Sequence, residues 1–74
     1  MSIGYTAAQD LLRGLIAAYG EVVEDCSQPG DRREAALERQ RAVAADLQRL
    51  RTLADHEVAA IAERHRRTAG DVLQ

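Results

Sequence analysis

The residues of this chain that could do chemistry are few and scattered. His56 and His65 stand nine positions apart, a spacing that puts them on different faces of a helix rather than side by side as ligands. The Glu-x-x-His spacing used by carboxylate-bridged di-iron bundles is absent, because Glu63 precedes His65 by two positions and not three. Acids such as Glu34, Glu38 and Asp46 could meet a metal only across subunits. The sequence therefore predicts no metal and no other cofactor. Cys26 lies beside Ser27 with no dedicated base and no Gly-rich phosphate loop near it. A chain of 74 residues also has little room for a concave pocket, so no enzymatic activity is expected.

Arginine is the one chemically distinctive residue type. All ten basic residues are Arg, whose planar fork suits carboxylates and phosphates. The only dense basic run is Arg64-His65-Arg66-Arg67. It offers either a phosphate-binding patch or favourable charge at a helix C-terminus. The net charge of −2 argues against a dedicated nucleic-acid binder. Charge is unevenly spread: up to Asp31 one Arg stands against five acids, and from Arg32 onward nine Arg stand against seven. Two oppositely biased halves suit folding onto each other, or antiparallel pairing between copies.

The lone Cys26 excludes an internal disulfide and fits a reduced, cytoplasmic setting. The first residues lack the basic region and apolar run of a signal peptide. No stretch approaches the ~20 apolar residues of a membrane span.

The elements that position these residues read as helices. Thr6 and Gln9 have the spacing of a capping box, opening a first helix over residues 6–25. Its apolar face is Ala8, Leu11, Leu12, Leu15, Ile16, Tyr19, Val22 and Val23. Gly14 and Gly20 read as tolerated in a packed helix. Residues 26–31 form the loop, with a positive φ expected at Gly30 after Pro29. Asp31 and Glu34 read as a second capping box. A second helix then covers residues 32–69, with Gly70 as its C-terminal cap. Acids at the end of helix one would be relieved by Arg32 and Arg33 if the two helices fold back on each other.

The second helix carries one stripe: Ala36, Gln40, Val43, Leu47, Leu50, Ala54, Val58, Ile61, His65, Thr68 and Val72. At 1.5 Å per residue it would run roughly 57 Å, against roughly 30 Å for helix one. Helix one would cover only its first half. Two resolutions follow. The chain dimerises, or helix two breaks near Thr52 to Asp55 and a three-helix bundle forms. With no Gly or Pro between Asp31 and Ala69, the unbroken helix is the expectation. Segment 58–73 superficially resembles a helix-turn-helix, but its halves are too close and the turn Gly is missing, so no DNA-reading residue is taken from it.

The reading is a single all-α domain: an antiparallel helical hairpin with a short first and a long second helix, dimerising into a four-helix-type bundle. Its function would be protein–protein interaction or assembly, with itself or a larger protein as partner. The partner-binding residues would be the uncovered Leu50, Leu53, Ala54, Val58, Ile61 and His65. The polar Gln40 and His65 would fix register. The alternative is a small nucleic-acid-binding regulator acting through Arg64, Arg66 and Arg67.

Overall fold

The computed structural model describes residues 4–73, without the side chain of Val72. Residues 1–3, Gln74 and the Val72 end of the predicted stripe thus lie outside the described parts. Three helices of nearly equal length follow one another: α1, Tyr5–Glu24; α2, Gly30–Arg49; and α3, Asp55–Leu73. No strand occurs among the described residues, and none of the helices is long and apolar enough to cross a membrane. The whole measures 39 × 21 × 15 Å.

The long second helix does not form. It ends at Arg49, passes through a single 3₁₀ turn at Leu50–Thr52, and restarts at Asp55. Several local interactions hold the break without Gly or Pro. The Thr52 hydroxyl donates to the Arg49 carbonyl at 2.8 Å, satisfying one of the orphan acceptors of the α2 terminus. Leu53 turns extended at φ −103, ψ 150. The Glu57 carboxylate accepts the Ala54 N–H at 3.3 Å, which is the reciprocal half of a capping box. Asp55 and Glu57 lie in the first turn of α3, where the macrodipole favours acids. Arg49 and Arg51 stand on the other side of the break, where it favours bases.

The energetic reason is length. A helix of 20 residues spans about 30 Å, so cutting residues 30–73 at Leu50 yields two rods that each match α1. Folded back, α3 buries Val58, Ala62, His65 and Ala69 inside the same chain. Burial of each large apolar side chain stabilises by about 1.5–3 kcal/mol, which outweighs the few backbone hydrogen bonds lost at the break.

Burial follows heptads. Leu12 and Tyr19, then Ala36, Val43 and Leu50, then Val58 with His65 and Ala62 with Ala69 recur at steps of seven, and all are buried. This is bundle packing of the coiled-coil kind. α1 packs against both α2 and α3. It runs opposite to α2: Arg33 Nε donates to the Val23 carbonyl at 3.0 Å, and Gln40 Nε2 to the Ile16 carbonyl at 3.0 Å.

The helix ends differ from the capping pattern expected. α1 starts after Gly4 and α2 after Pro29, both without a side-chain cap. Thr6, Asp31 and Glu34 therefore sit inside helices and cap nothing. Gly30 is the first residue of α2 and has no positive φ. The cause is Pro29, whose fixed φ and carbonyl already set up the first turn: Arg33 N–H bonds it at 3.1 Å. Gly70 lies within α3, also without positive φ, so it is not a C-terminal cap.

The α1–α2 connection is closed by Asp25. Its carboxylate accepts the Ser27 N–H at 3.0 Å, the Ser27 hydroxyl at 2.6 Å and the Gln28 amide at 3.4 Å, an Asx-type turn. The Ser27 hydroxyl, more than the Ser27 N–H, Gln28 or the Arg33 charge, holds the Asp25 carboxyl below its ordinary value. A depressed folded value means that this turn contributes stability above the usual carboxylate range and loses it as pH falls through the folded value. In Ser27→Ala the Asp25 carboxyl should move back up, as followed by an NMR titration of its side-chain carbon. An unchanged midpoint would refute the assignment.

Two glycines of α1 behave differently. Nothing lies within 4 Å of a Cβ built on Gly14, whereas one on Gly20 would stand 3.1 Å from Gln40 Nε2. Gly14→Ala should therefore stabilise the protein by about 0.5–1 kcal/mol. Gly20→Ala should gain less, because the Gln40 amide must give by a few tenths of an ångström while bonded to the Ile16 carbonyl. Urea denaturation of both variants checks the contrast.

Candidate functional site

The polar centre of the protein lies between α2 and α3. Heptad positions place Arg39 and Asp46 three residues after the buried Ala36 and Val43, so both point inward rather than to solvent. Asp46 is 7 % exposed and His65 is 1 % exposed. His65 Nε2 lies 2.6 Å from Asp46 Oδ2, and Arg39 Nη2 lies 3.3 Å from His65 Nδ1. A guanidinium only donates and a carboxylate only accepts. The ring therefore carries its hydrogen on Nε2, donates it to Asp46, and accepts from Arg39 at Nδ1. Asp46 also accepts from Arg64 Nη2 at 3.0 Å and from Arg49 Nη1 at 3.1 Å.

This arrangement is an orienting network. Both ring nitrogens are occupied, and the ring is out of solvent, so it offers no free nitrogen to a substrate. Its satisfaction is incomplete: Arg39 Nε is buried with no hydrogen-bond partner among the described residues, as is the Tyr19 hydroxyl. Asp46 joins α2 to α3 through His65 and Arg64, so the network fixes how α3 lies on α2. His65 thus sets register within one chain, a placement that periodicity had assigned to an interface between chains.

The predicted site residues are dispersed by the fold. Leu50, Val58 and His65 are buried in their own chain. Leu53 and Ile61 are half-buried against that core, and Ala54 is exposed at the start of α3. The expected uncovered strip is absent, because the break turns it inward. That removes the ground on which periodicity assigned these six residues to a partner. Gln40 is spent on α1.

The basic run is also committed internally. Arg64 pairs with Asp46, while Arg66 Nη2 and Arg67 Nε reach Glu63 Oε1 at 2.6 and 3.4 Å. Hydrogen bonding from Arg66 holds the Glu63 carboxyl below its ordinary value. The three arginine side chains remain largely exposed, yet each reaches an acid, with Arg66 and Arg67 sharing Glu63. No group of three or more potential metal ligands occurs among the described residues. Cys26 and His56 are exposed, at the α1–α2 turn and in the first turn of α3.

Two shallow grooves run between α1 and α2, and no α3 residue lines either. The first, of about 490 Å³, is lined by Val23, Gly30, Arg33, Glu34 and Leu37. The second, of about 390 Å³, lies at the opposite end, between Tyr5, Gln9 and Arg13 of α1 and Leu47, Gln48 and Arg51. Tyr5 is the one large apolar side chain that is exposed among the described residues. Arg13, Arg51 and Glu34 make no ion pair or side-chain hydrogen bond among the described residues. The sequence reading missed both this face and the inward positions of Arg39 and Asp46. Spacing from Ala36, Val43 and Leu50 was the available signal for the latter. Comparison with known protein families, with curated proteins and with solved structures finds no match to this chain.

Proposed function

We propose that this chain is a protein–protein interaction module, with a second copy of itself as a partner, and that it acts as a bundle already folded before binding. The observation that carries the reading is the state of the α1–α2 face. Its grooves hold an exposed aromatic ring and charged groups with no internal partner, while the polar groups between α2 and α3 are engaged with each other. Unpaired charge around an apolar patch is the composition of an interface rim and centre. No catalytic role is proposed, since the buried Asp46–His65 pair is oriented toward holding two helices together.

The nucleic-acid alternative rests on Arg64, Arg66 and Arg67. It is disfavoured because phosphate binding would have to compete with Asp46 and Glu63 for these guanidiniums. Steeply salt-dependent retention on nucleic acid would revive it.

The test is site-specific photocrosslinking in living cells, with a photoreactive residue at Tyr5, Leu37 or Gln48 and, for comparison, at Arg66. Protein adducts confined to the α1–α2 positions are expected. Absence of adducts from all of them would overturn the reading.

A further inference from the structure

We infer that the α1–α2 face is the surface of an antiparallel two-fold dimer, in which the Tyr5 end of each copy occupies the Val23–Leu37 groove of the other. This deepens the interaction reading above by naming the surface, the occupant and the register.

The inference starts from the register of the two helices. The contacts Val23–Arg33 and Ile16–Gln40 share one antiparallel alignment. Continued along the helices, it puts Tyr5 level with Arg51 and Val22 level with Glu34. One end of the face is therefore Tyr5 with Arg51, and the other is Val23 with Glu34 and Leu37. The grooves at these ends lie about 27 Å apart along the helix axis, and residues near 14 and 42 mark the midpoint. A two-fold axis through that midpoint, lying in the plane of the face and perpendicular to the helices, exchanges the two ends. It brings groove onto groove with no further adjustment, and every contact occurs twice.

The two ends are complementary in chemistry. The Tyr5 end presents an exposed ring with the unpaired Arg51, while Arg13 stands beside the two-fold axis. The other end presents a groove floored by Val23 and Leu37, with the unpaired Glu34 on its edge and Arg33 engaged on the Val23 carbonyl. Glu21 and Glu24, also exposed, add negative charge near that end, where α1 has no basic residue in its last turn. Superposing the ends covers the Tyr5 ring with apolar side chains and sets Arg51 of one copy against Glu34 of the other. Arg–carboxylate pairs of this kind favour one register over others. The opposite, parallel arrangement would bring the two Tyr5 ends together and the two Glu34 ends together, with no Arg51–Glu34 pair across the interface.

The size of the face sets the expected strength. Two adjacent helices about 30 Å long and about 10 Å wide present roughly 600 Å² per copy. The total of about 1,200 Å² lies at the lower edge of stable interfaces. The dimer should thus be in exchange with monomer at about micromolar concentration or above.

Sedimentation equilibrium of the full chain, up to about 1 mM, tests the inference with three variants: Arg51→Glu, Glu34→Arg, and the two together. Both changes are at exposed positions, and circular dichroism verifies that the helices persist. The intact chain should approach twice the monomer mass. Each single reversal should weaken association about tenfold or more, and the double reversal should restore it. A chain that stays monomeric throughout overturns the inference, as does a dimer indifferent to both single changes. A double variant no better than the singles overturns the antiparallel register. The interaction reading fails separately: a monomeric chain that still gives α1–α2 photoadducts with another protein leaves that reading standing and removes only the dimer.

Discussion

Replacing Asp46 by Ala should lower the stability of the fold by about 3 kcal/mol. Among the described residues the carboxylate is the one acceptor for the buried His65 Nε2–H, at 2.6 Å. Its removal leaves that buried donor without a partner and frees the guanidiniums of Arg49 and Arg64 from their acid. The bonds from Arg49 and Arg64 contribute little, because both side chains are about 60 % exposed and water screens them. A chain of this length commands only about 4–11 kcal/mol in total, so the change should remove roughly a quarter to three quarters of it and lower the urea midpoint in proportion.

The companion variant decides why. Breaking a buried polar pair is costly, whereas replacing the whole set with apolar groups of similar volume is often neutral or better. Arg39→Met, Asp46→Leu and His65→Leu made together should therefore recover or exceed the original stability, helped by removing the unpartnered Arg39 Nε. If the triple variant is as unstable as Asp46→Ala, the network is required for more than its own satisfaction, and the account is wrong. Loss of a sharp unfolding transition in an otherwise stable triple variant would mean that the network confers a unique placement of α3.

Val58→Asp is the second large effect. Were the second helix continuous, Val58 would be a surface residue, and the variant would be a well-folded monomer. With the helix broken, Val58 is 2 % exposed in the shared core. The substitution forfeits about 1.5–3 kcal/mol of apolar burial and buries a carboxyl without a partner. We expect a loss of at least about 4 kcal/mol and collapse of the helical signal at 222 nm at room temperature. Ala54→Asp is the control, since Ala54 is exposed at the start of α3 and Asp is a favoured residue at a helix N-cap. A folded Val58→Asp alongside a folded Ala54→Asp would refute the broken-helix packing.

Much of this protein was legible in its residues. Apolar positions at steps of three and four specify helices, because only helical geometry gathers Ala8, Leu12 and Tyr19, or Ala36, Val43 and Leu50, on one side. Pro29 and the hydrogen-bonding side chains beside it specify the first turn. The excess length of a continuous second helix was also legible, since it follows from counting residues.

How that excess is resolved was decided only in three dimensions. Breaking a helix at Leu50 costs hydrogen bonds locally and gains burial from residues far away in the chain. Local propensity around Thr52, where strong helix formers continue, does not contain the burial. The Thr52 and Glu57 bonds that hold the break are individually weak signals, and they win because α3 then covers α1. The same non-local gain moved His65 from a presumed surface to the interior, where Asp46 and Arg39 meet it from another helix. The sequence determined that a half-stripe needed a cover, and tertiary packing determined that the chain would cover it itself. What then faces outward is the α1–α2 surface, whose grooves exist only because two helices from different parts of the chain lie side by side.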